Sequence, residues 1–287
     1  ALFLVLAALL DGKSRVLVEE PAYEPLRRIP LLFGARVDRL PRPFENRYRL
    51  DRDRLLDSLA PETKLVVLTD PHNPRGVRLS EEERDWLAAA AEDRNIDVLV
   101  DEVYIDFDAS RVGEGRPSYE HAFRHGRRMI SVGSLTKAYG FGRLRVGWVL
   151  ARDEIVRRAA PLYDYSIGDP SGPSVALGVA ALAVRDELRR HAVERAARNG
   201  ATVAAWMEKR PDLEWVRPDT GITAFLRLRE RRNVSALLSL AHREHSLAAV
   251  PGDYFEDPRG FRLGFGIRPD LLPIALERLG VALSHRP

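Results

Sequence analysis

The run Ser131-Val-Gly-Ser-Leu-Thr-Lys-Ala-Tyr-Gly-Phe-Gly-Arg-Leu-Arg-Val-Gly-Trp148 decides how this chain is read. It opens as an apolar, β-branched strand, passes through a turn-rich middle, and closes as a second strand. Lys137 sits three residues after Ser134 and eight before Arg145. A primary amine can form a covalent bond with a carbonyl compound. A hydroxyl and a guanidinium fork on either side suit an anion. A lone lysine is usually a solvated surface group, so the weight falls on what surrounds it.

Working outward, short apolar runs alternate with helical patterns. Strands are predicted over residues 15–18, 64–69, 97–100, 129–132 and 146–150. The clearest helix is predicted over 80–94, where Ser80 and Glu83 make a capping box and Trp86, Leu87 and Ala90 form an apolar stripe. Alternation of this kind predicts an α/β fold, a mostly parallel sheet covered on both faces in three layers. A helix is expected over 152–160 and a long one over 174–199, with Gly200 as its C-cap or a local break. The pattern then changes. Strands at 213–216, 221–229 and 261–265 and helices at 234–245 and 271–283 predict a smaller α+β C-terminal domain. The expected division is a large domain over 1–200 and a small one over 201–287.

Four polar clusters fall at or after the carboxyl ends of the predicted parallel strands, where open α/β sheets bind ligands. They are Glu20-Pro-Ala-Tyr23, Asp70-Pro-His-Asn-Pro-Arg-Gly76, Asp101-Glu-Val-Tyr104 and Ser134-Leu-Thr-Lys137. Each alone is ordinary: Asn-Pro near Gly is a common turn, Asp at a strand end is often a cap, and Tyr is often core. Four on one rim are hard to attribute to chance.

Asn73-Pro-Arg-Gly76, Asp101-Glu-Val-Tyr104, Ser134-Leu-Thr-Lys137 and Arg145-Val-Gly-Trp148, in this order, resemble the fold-type-I pyridoxal-phosphate enzymes of the class I/II aminotransferase family. Phe261-Arg-Leu-Gly-Phe-Gly266 resembles that family's C-terminal arginine motif. The resemblance covers essentially the whole chain. It implies pyridoxal 5'-phosphate as cofactor and an amino acid and a 2-oxo acid as substrates. It also implies a homodimer in the cytoplasm with the active site at the interface. Lys137 would form the cofactor imine and then shuttle the substrate's α-proton. Asp101 would face the ring nitrogen, Asn73 and Tyr104 the phenolic oxygen, and Tyr23 the ring. Ser134 and Arg145 would hold the phosphate, and Arg262 the substrate α-carboxylate. Arg143 stands where the family more often has glycine and is read as solvated or structural, and Arg268 as structural.

Composition narrows the alternatives. The 287 residues are 45% hydrophobic and 30% charged, a globular profile, with a net charge of only +3. No basic block is interleaved with aromatics, so nucleic-acid binding by this chain is not expected. With no cysteine, thiolate chemistry and disulfides are excluded, which fits a reducing compartment. No apolar stretch reaches the length of a membrane span. No histidine set has metal spacing. Gly140, Gly142 and Gly147 lack the strand and helix of a dinucleotide fingerprint.

Residues 1–10 read as a buried helix ended by the turn Asp11-Gly-Lys-Ser-Arg15, not as a signal peptide. The family places a phosphate-binding turn just before this helix, so an N-terminal portion is expected to be missing from this sequence. Two other readings stay open at this level. The same residues serve β-elimination, decarboxylation or cyclisation, and an aminotransferase-like domain can also act as the effector sensor of a transcription regulator.

Overall fold

The computed structural model describes residues 1–108, 120–230 and 233–284. In chain order the first elements are α1 (Leu2–Leu9), β1 (Arg15–Glu20), α2 (Glu24–Leu32), β2 (Arg36–Pro41), α3 (Arg52–Ser58) and β3 (Thr63–Thr69). There follow α4 (Glu81–Arg94), β4 (Asp97–Asp101), β5 (Met129–Ser134), β6 (Gly147–Leu150), α5 (Asp153–Ser166), α6 (Gly172–Ala183) and α7 (Arg185–Met207). The chain closes with β7 (Leu213–Trp215), β8 (Thr223–Leu228), α8 (Ser235–His245), β9 (Val250–Pro251), β10 (Gly260–Gly264) and α9 (Leu272–Ser284).

Among the described residues the larger sheet has the order β2-β1-β3-β4-β5-β6, parallel except for β6, which runs antiparallel to β5. Its central strands are apolar on both faces because both faces are covered. Leu17, Val66, Leu68, Val98, Val100 and Met129 point to one side and pack on Leu87, Ala88 and Ala91 of α4. Val16, Val18, Leu65, Val67, Leu99 and Ile130 point to the other and meet Val5 and Leu6 of α1 and Ile155 of α5. The α1 helix forms as expected but is buried on one face only, through Val5, Leu6 and Ala8, while Phe3 is exposed. The Ser80–Glu83 capping box is formed in both directions.

The second sheet, β7-β8-β10-β9, is antiparallel. Helices α7, α8 and α9 cover it around a core that includes Val203, Leu238, Phe261, Leu276 and Leu279.

Helices α2 and α3 and strand β9 were not anticipated, α5 runs on to Ser166, and three further features depart from the sequence-level expectation. The stretch expected as one long helix is two, parted at Val184. Gly200 neither caps nor breaks α7, which continues to Met207 because Val203 and Met207 are buried against the second sheet. Next to it the buried Asn199 donates Nδ2 to the carbonyls of Phe265 (2.6 Å) and Ile267 (2.9 Å), fastening α7 to the end of β10. Strand β2 was not anticipated. It is an edge strand with only Leu40 buried, so it lacks the apolar run that identifies its neighbours.

Gly133 pairs with Trp148 across β5 and β6, and a Cβ there would sit 2.4 Å from the indole nitrogen. Gly133→Ala is expected to cost about 2 kcal/mol by overpacking. Thermal denaturation checks this; an unchanged melting temperature would show that the indole moves aside freely.

Candidate active site

The carboxyl ends of β1, β3, β4 and β5 lie side by side, and the loops after them carry the predicted residues. The loop after β3 is a tight turn in which the His72 carbonyl accepts the N–H groups of Arg75 (2.8 Å) and Gly76 (2.6 Å). Gly76 has φ +70°, and a Cβ on it would meet Pro218 at 2.7 Å and the Thr220 carbonyl at 2.8 Å. The turn requires glycine on both counts.

Asn73 is buried in this turn. Its N–H donates to Thr69 Oγ1 at 2.9 Å, and its Oδ1 accepts from Arg262 Nη1 at 3.0 Å. Arg262 comes from β10 of the second sheet, 189 positions later in sequence, and its guanidinium lies 5.1 Å from the Phe255 ring centroid. With Oδ1 committed to Arg262, Nδ2 of Asn73 remains a donor for another group.

Asp101 ends β4, opposite Thr69 in the parallel register. It is buried, and its Oδ1 accepts from the Val103 N–H at 3.2 Å. Burial pushes its carboxyl up to about 6, with a smaller push from the Glu102 charge; the Val103 N–H and the charge of Lys137 act against this. Among the described residues no basic side chain forms an ion pair with it. Tyr104, also buried, stacks at 29° on Phe107. Lys137 lies on the turn after β5, with Nζ exposed to approach and 5.2 Å from the Tyr104 ring centroid. Lys137, Tyr104 and Asp101 are therefore neighbours, and Asn73 and Arg262 form a hydrogen-bonded pair.

The other predicted residues are on the same rim but not bonded to these. Ser134 ends β5 and its Oγ accepts from the Thr136 N–H at 3.3 Å. Arg145 is exposed, in the left-handed region at φ 58°, and donates Nη1 to the Gly142 carbonyl at 3.1 Å. Tyr23 is 41% exposed at the head of α2. Arg143 is exposed, and Arg268 is bound to its neighbour Asp270.

Several residues of this region were not found from sequence. Glu19, fully buried in β1, accepts from Thr69 N–H (2.8 Å) and Thr69 Oγ1 (2.6 Å) with one oxygen. With the other it accepts from Arg42 (2.6 Å). Thr69 thereby holds the hydroxyl orientation that receives the Asn73 N–H. A glutamate after Val-Leu-Val reads as a strand end, and only the strand's further run to Glu20 shows that Glu19 lies inside. His72 is buried as well. It donates Nε2–H to the Pro21 carbonyl at 2.9 Å. Burial, together with Arg42 and Arg75, holds it neutral, well below the usual histidine range.

The arrangement suits an anionic aromatic cofactor. A buried carboxylate without a cationic partner is costly, and among the described residues Asp101 forms no ion pair. A protonated ring nitrogen would supply the partner. Hydroxyl, amide and guanidinium donors on the same rim as Lys137 are of the kind that complements a phenolic oxygen and a phosphate. A largely parallel sheet with a lysine after β5 and a buried carboxylate ending β4 agrees with the fold-type-I pyridoxal-phosphate family that the motifs resemble.

The chain belongs to the aminotransferase class I and II family, whose model matches residues 1–279. It is a pyridoxal-phosphate-dependent transaminase. Among its relatives, capreomycidine synthase of Streptomyces vinaceus is 29% identical over the whole of this chain and 74% of its own length. Aromatic-amino-acid aminotransferase 2 of Thermococcus litoralis is 26% identical over 98% of this chain and 73% of its own. The crystal structure of a PLP-dependent aminotransferase from Streptococcus suis superposes with a TM-score of 0.90 at 26% identity, covering 98% of this chain and 73% of that one.

Proposed function

We propose that this chain moves an amino group between an amino acid and a 2-oxo acid, with Lys137 as the residue that carries the proton of the reacting carbon. The observation that supports this most is the meeting of an accessible amine with a buried, unpaired carboxylate: Lys137 beside Tyr104, with Asp101 in its electrostatic reach. When bound, the cofactor supplies an aldehyde and an electron-accepting ring. The chain supplies position and protons. Lys137, as the free amine, takes the α-proton of the substrate and delivers it elsewhere on the same face. Asp101 favours a positive charge on the ring nitrogen. Asn73 Nδ2 and the Tyr104 hydroxyl donate to the phenolic oxygen, Ser134 and Arg145 hold the phosphate, and Tyr23 offers its exposed ring for stacking.

Arg262 receives the substrate α-carboxylate. Its bond to Asn73 fixes one end of the guanidinium and leaves the rest of the fork to orient the substrate. Arg262→Ala is expected to raise KM about 100-fold, with a smaller change in kcat, as loss of a bidentate carboxylate contact requires. Steady-state kinetics checks the split; an unchanged KM would remove Arg262 from the substrate site.

The reading includes a homodimer. Tyr165, Ile167, Val175, Leu177, Val179 and Leu182, on α5, α6 and the turn between them, are between 40% and 88% exposed, an apolar concentration that a second subunit would cover. It also includes a cytoplasmic enzyme of amino-acid metabolism, with residues 1–200 as the cofactor domain and 201–287 as the small domain. Among the described residues no helix is long and apolar enough to cross a membrane.

One observation favours a second reading. The Streptomyces relative bears the name of a synthase, not of an aminotransferase. The same residues serve cyclisation, β-elimination or decarboxylation when a different substrate bond is aligned for cleavage.

A further inference from the structure

A cavity of about 340 Å³ lies between the loop after β2 and the turn before β10, apart from Lys137. Its buried wall is cationic. Arg42, Arg75 and Arg227 are 1%, 2% and 5% exposed. Arg75 is clasped between rings, 3.7 Å from the Tyr48 centroid and 4.4 Å from that of Phe225. Its acidic neighbour is Asp257 at 3.7 Å, and Arg227 draws on the same carboxylate at 3.3 Å. Among the described residues Arg75 Nε, Arg75 Nη1 and Arg42 Nη2 make no hydrogen bond. Burial pulls Arg75 down to about 10, with Arg227 and Arg42 acting in the same direction and Tyr48 and Asp257 against it.

The rim carries carboxylates as well as Arg259, which is itself paired with Asp257 at 3.8 Å. Glu45 is exposed and, among the described residues, forms no ion pair. Glu20 is nearby on the rim, 3.8 Å from Arg39. Phe44 and Phe255 supply aromatic wall between the two.

We propose that this cavity is a second binding site for a zwitterion of the amino-acid class, its carboxylate on Arg75 and Arg42 and its ammonium toward Glu45 and Glu20. Buried arginines with free N–H groups want an oxyanion. The carboxylates of the rim disfavour a dianion such as phosphate and reward a ligand with a positive group. The aromatic wall accepts a carbon skeleton. The site is independent of the role assigned to Lys137. It touches the catalytic region through Phe255, whose ring also carries Arg262, and through Arg75, two residues from Asn73.

N,N-dimethylglycine is a suitable probe, a zwitterion whose tertiary amine cannot condense with an aldehyde. Calorimetric titration of the Arg262→Ala holoenzyme, in which the substrate carboxylate site is removed, is expected to show one saturable site per chain, tighter for this probe than for acetate, with inorganic phosphate weakest. Added to Arg262→Ala, Arg75→Met should abolish binding and Glu45→Gln should weaken it about tenfold. Absence of saturable binding, preference for phosphate, or retention of binding after Arg75→Met would each overturn the proposal. Should Arg75→Met fail to fold by circular dichroism, the exposed Glu45→Gln decides: unchanged affinity there overturns it.

Discussion

Replacing Lys137 by alanine is expected to lower kcat for transamination by about four orders of magnitude, the upper range for loss of a positioned proton-transfer group. Among the described residues Lys137 is the lysine whose Nζ lies against the Tyr104 ring, and its charge is the basic one acting on Asp101. The variant should fold normally, because the side chain is exposed and the turn around it is held by backbone bonds, Leu135 N–H to the Val146 carbonyl (3.1 Å) and Phe141 N–H to the Leu135 carbonyl (2.9 Å). Steady-state kinetics with a circular dichroism control tests this. A variant retaining more than a few per cent of activity would assign the proton transfer to another group.

Asp101→Asn is expected to abolish most activity and yet stabilise the protein when cofactor is absent. The folded carboxyl titrates at about 6 against an ordinary value of 3.8, because burial disfavours its charge. Between those values the folded state holds the proton more tightly than the unfolded state. Stability without cofactor therefore falls as pH rises through this window, and the full cost applies above it. The shift corresponds to about 3 kcal/mol. Asparagine keeps an acceptor for the Val103 N–H and removes the charge. The variant should melt at a higher temperature than the parent at pH 8 and at nearly the same temperature at pH 4. Cofactor should stabilise the parent more than the variant. A variant less stable at pH 8 would mean that the buried charge is already compensated within the fold.

The central strands were legible because a doubly covered parallel strand must be apolar throughout, as Val16–Val18 and Leu65–Leu68 are. Helix α4 was legible because its cap and its stripe agree. The edge strand β2 was not, since exposure on its flank removes the pattern, and neither was the passage of α7 through Gly200, where burial of Val203 and Met207 outweighs glycine's low helix propensity. In the site, Asp101, Tyr104 and Lys137 lie together where the sequence put them at adjacent strand ends. The bond between Asn73 and Arg262 joins two sheets, so no local pattern announces it. Glu19, Thr69 and Arg42 stayed hidden because a buried polar network is recognisable only through its partners.

The most direct measurement is a single half-reaction. Enzyme loaded with pyridoxal phosphate is mixed with one amino acid at a time, without any 2-oxo acid, and the products are identified for the parent and for Lys137→Ala. The account requires that at least one amino acid yield one equivalent of its 2-oxo acid per site together with the pyridoxamine form, and that Lys137→Ala yield neither on the same timescale. Release of ammonia or carbon dioxide, or a cyclised product, in place of the 2-oxo acid would contradict it.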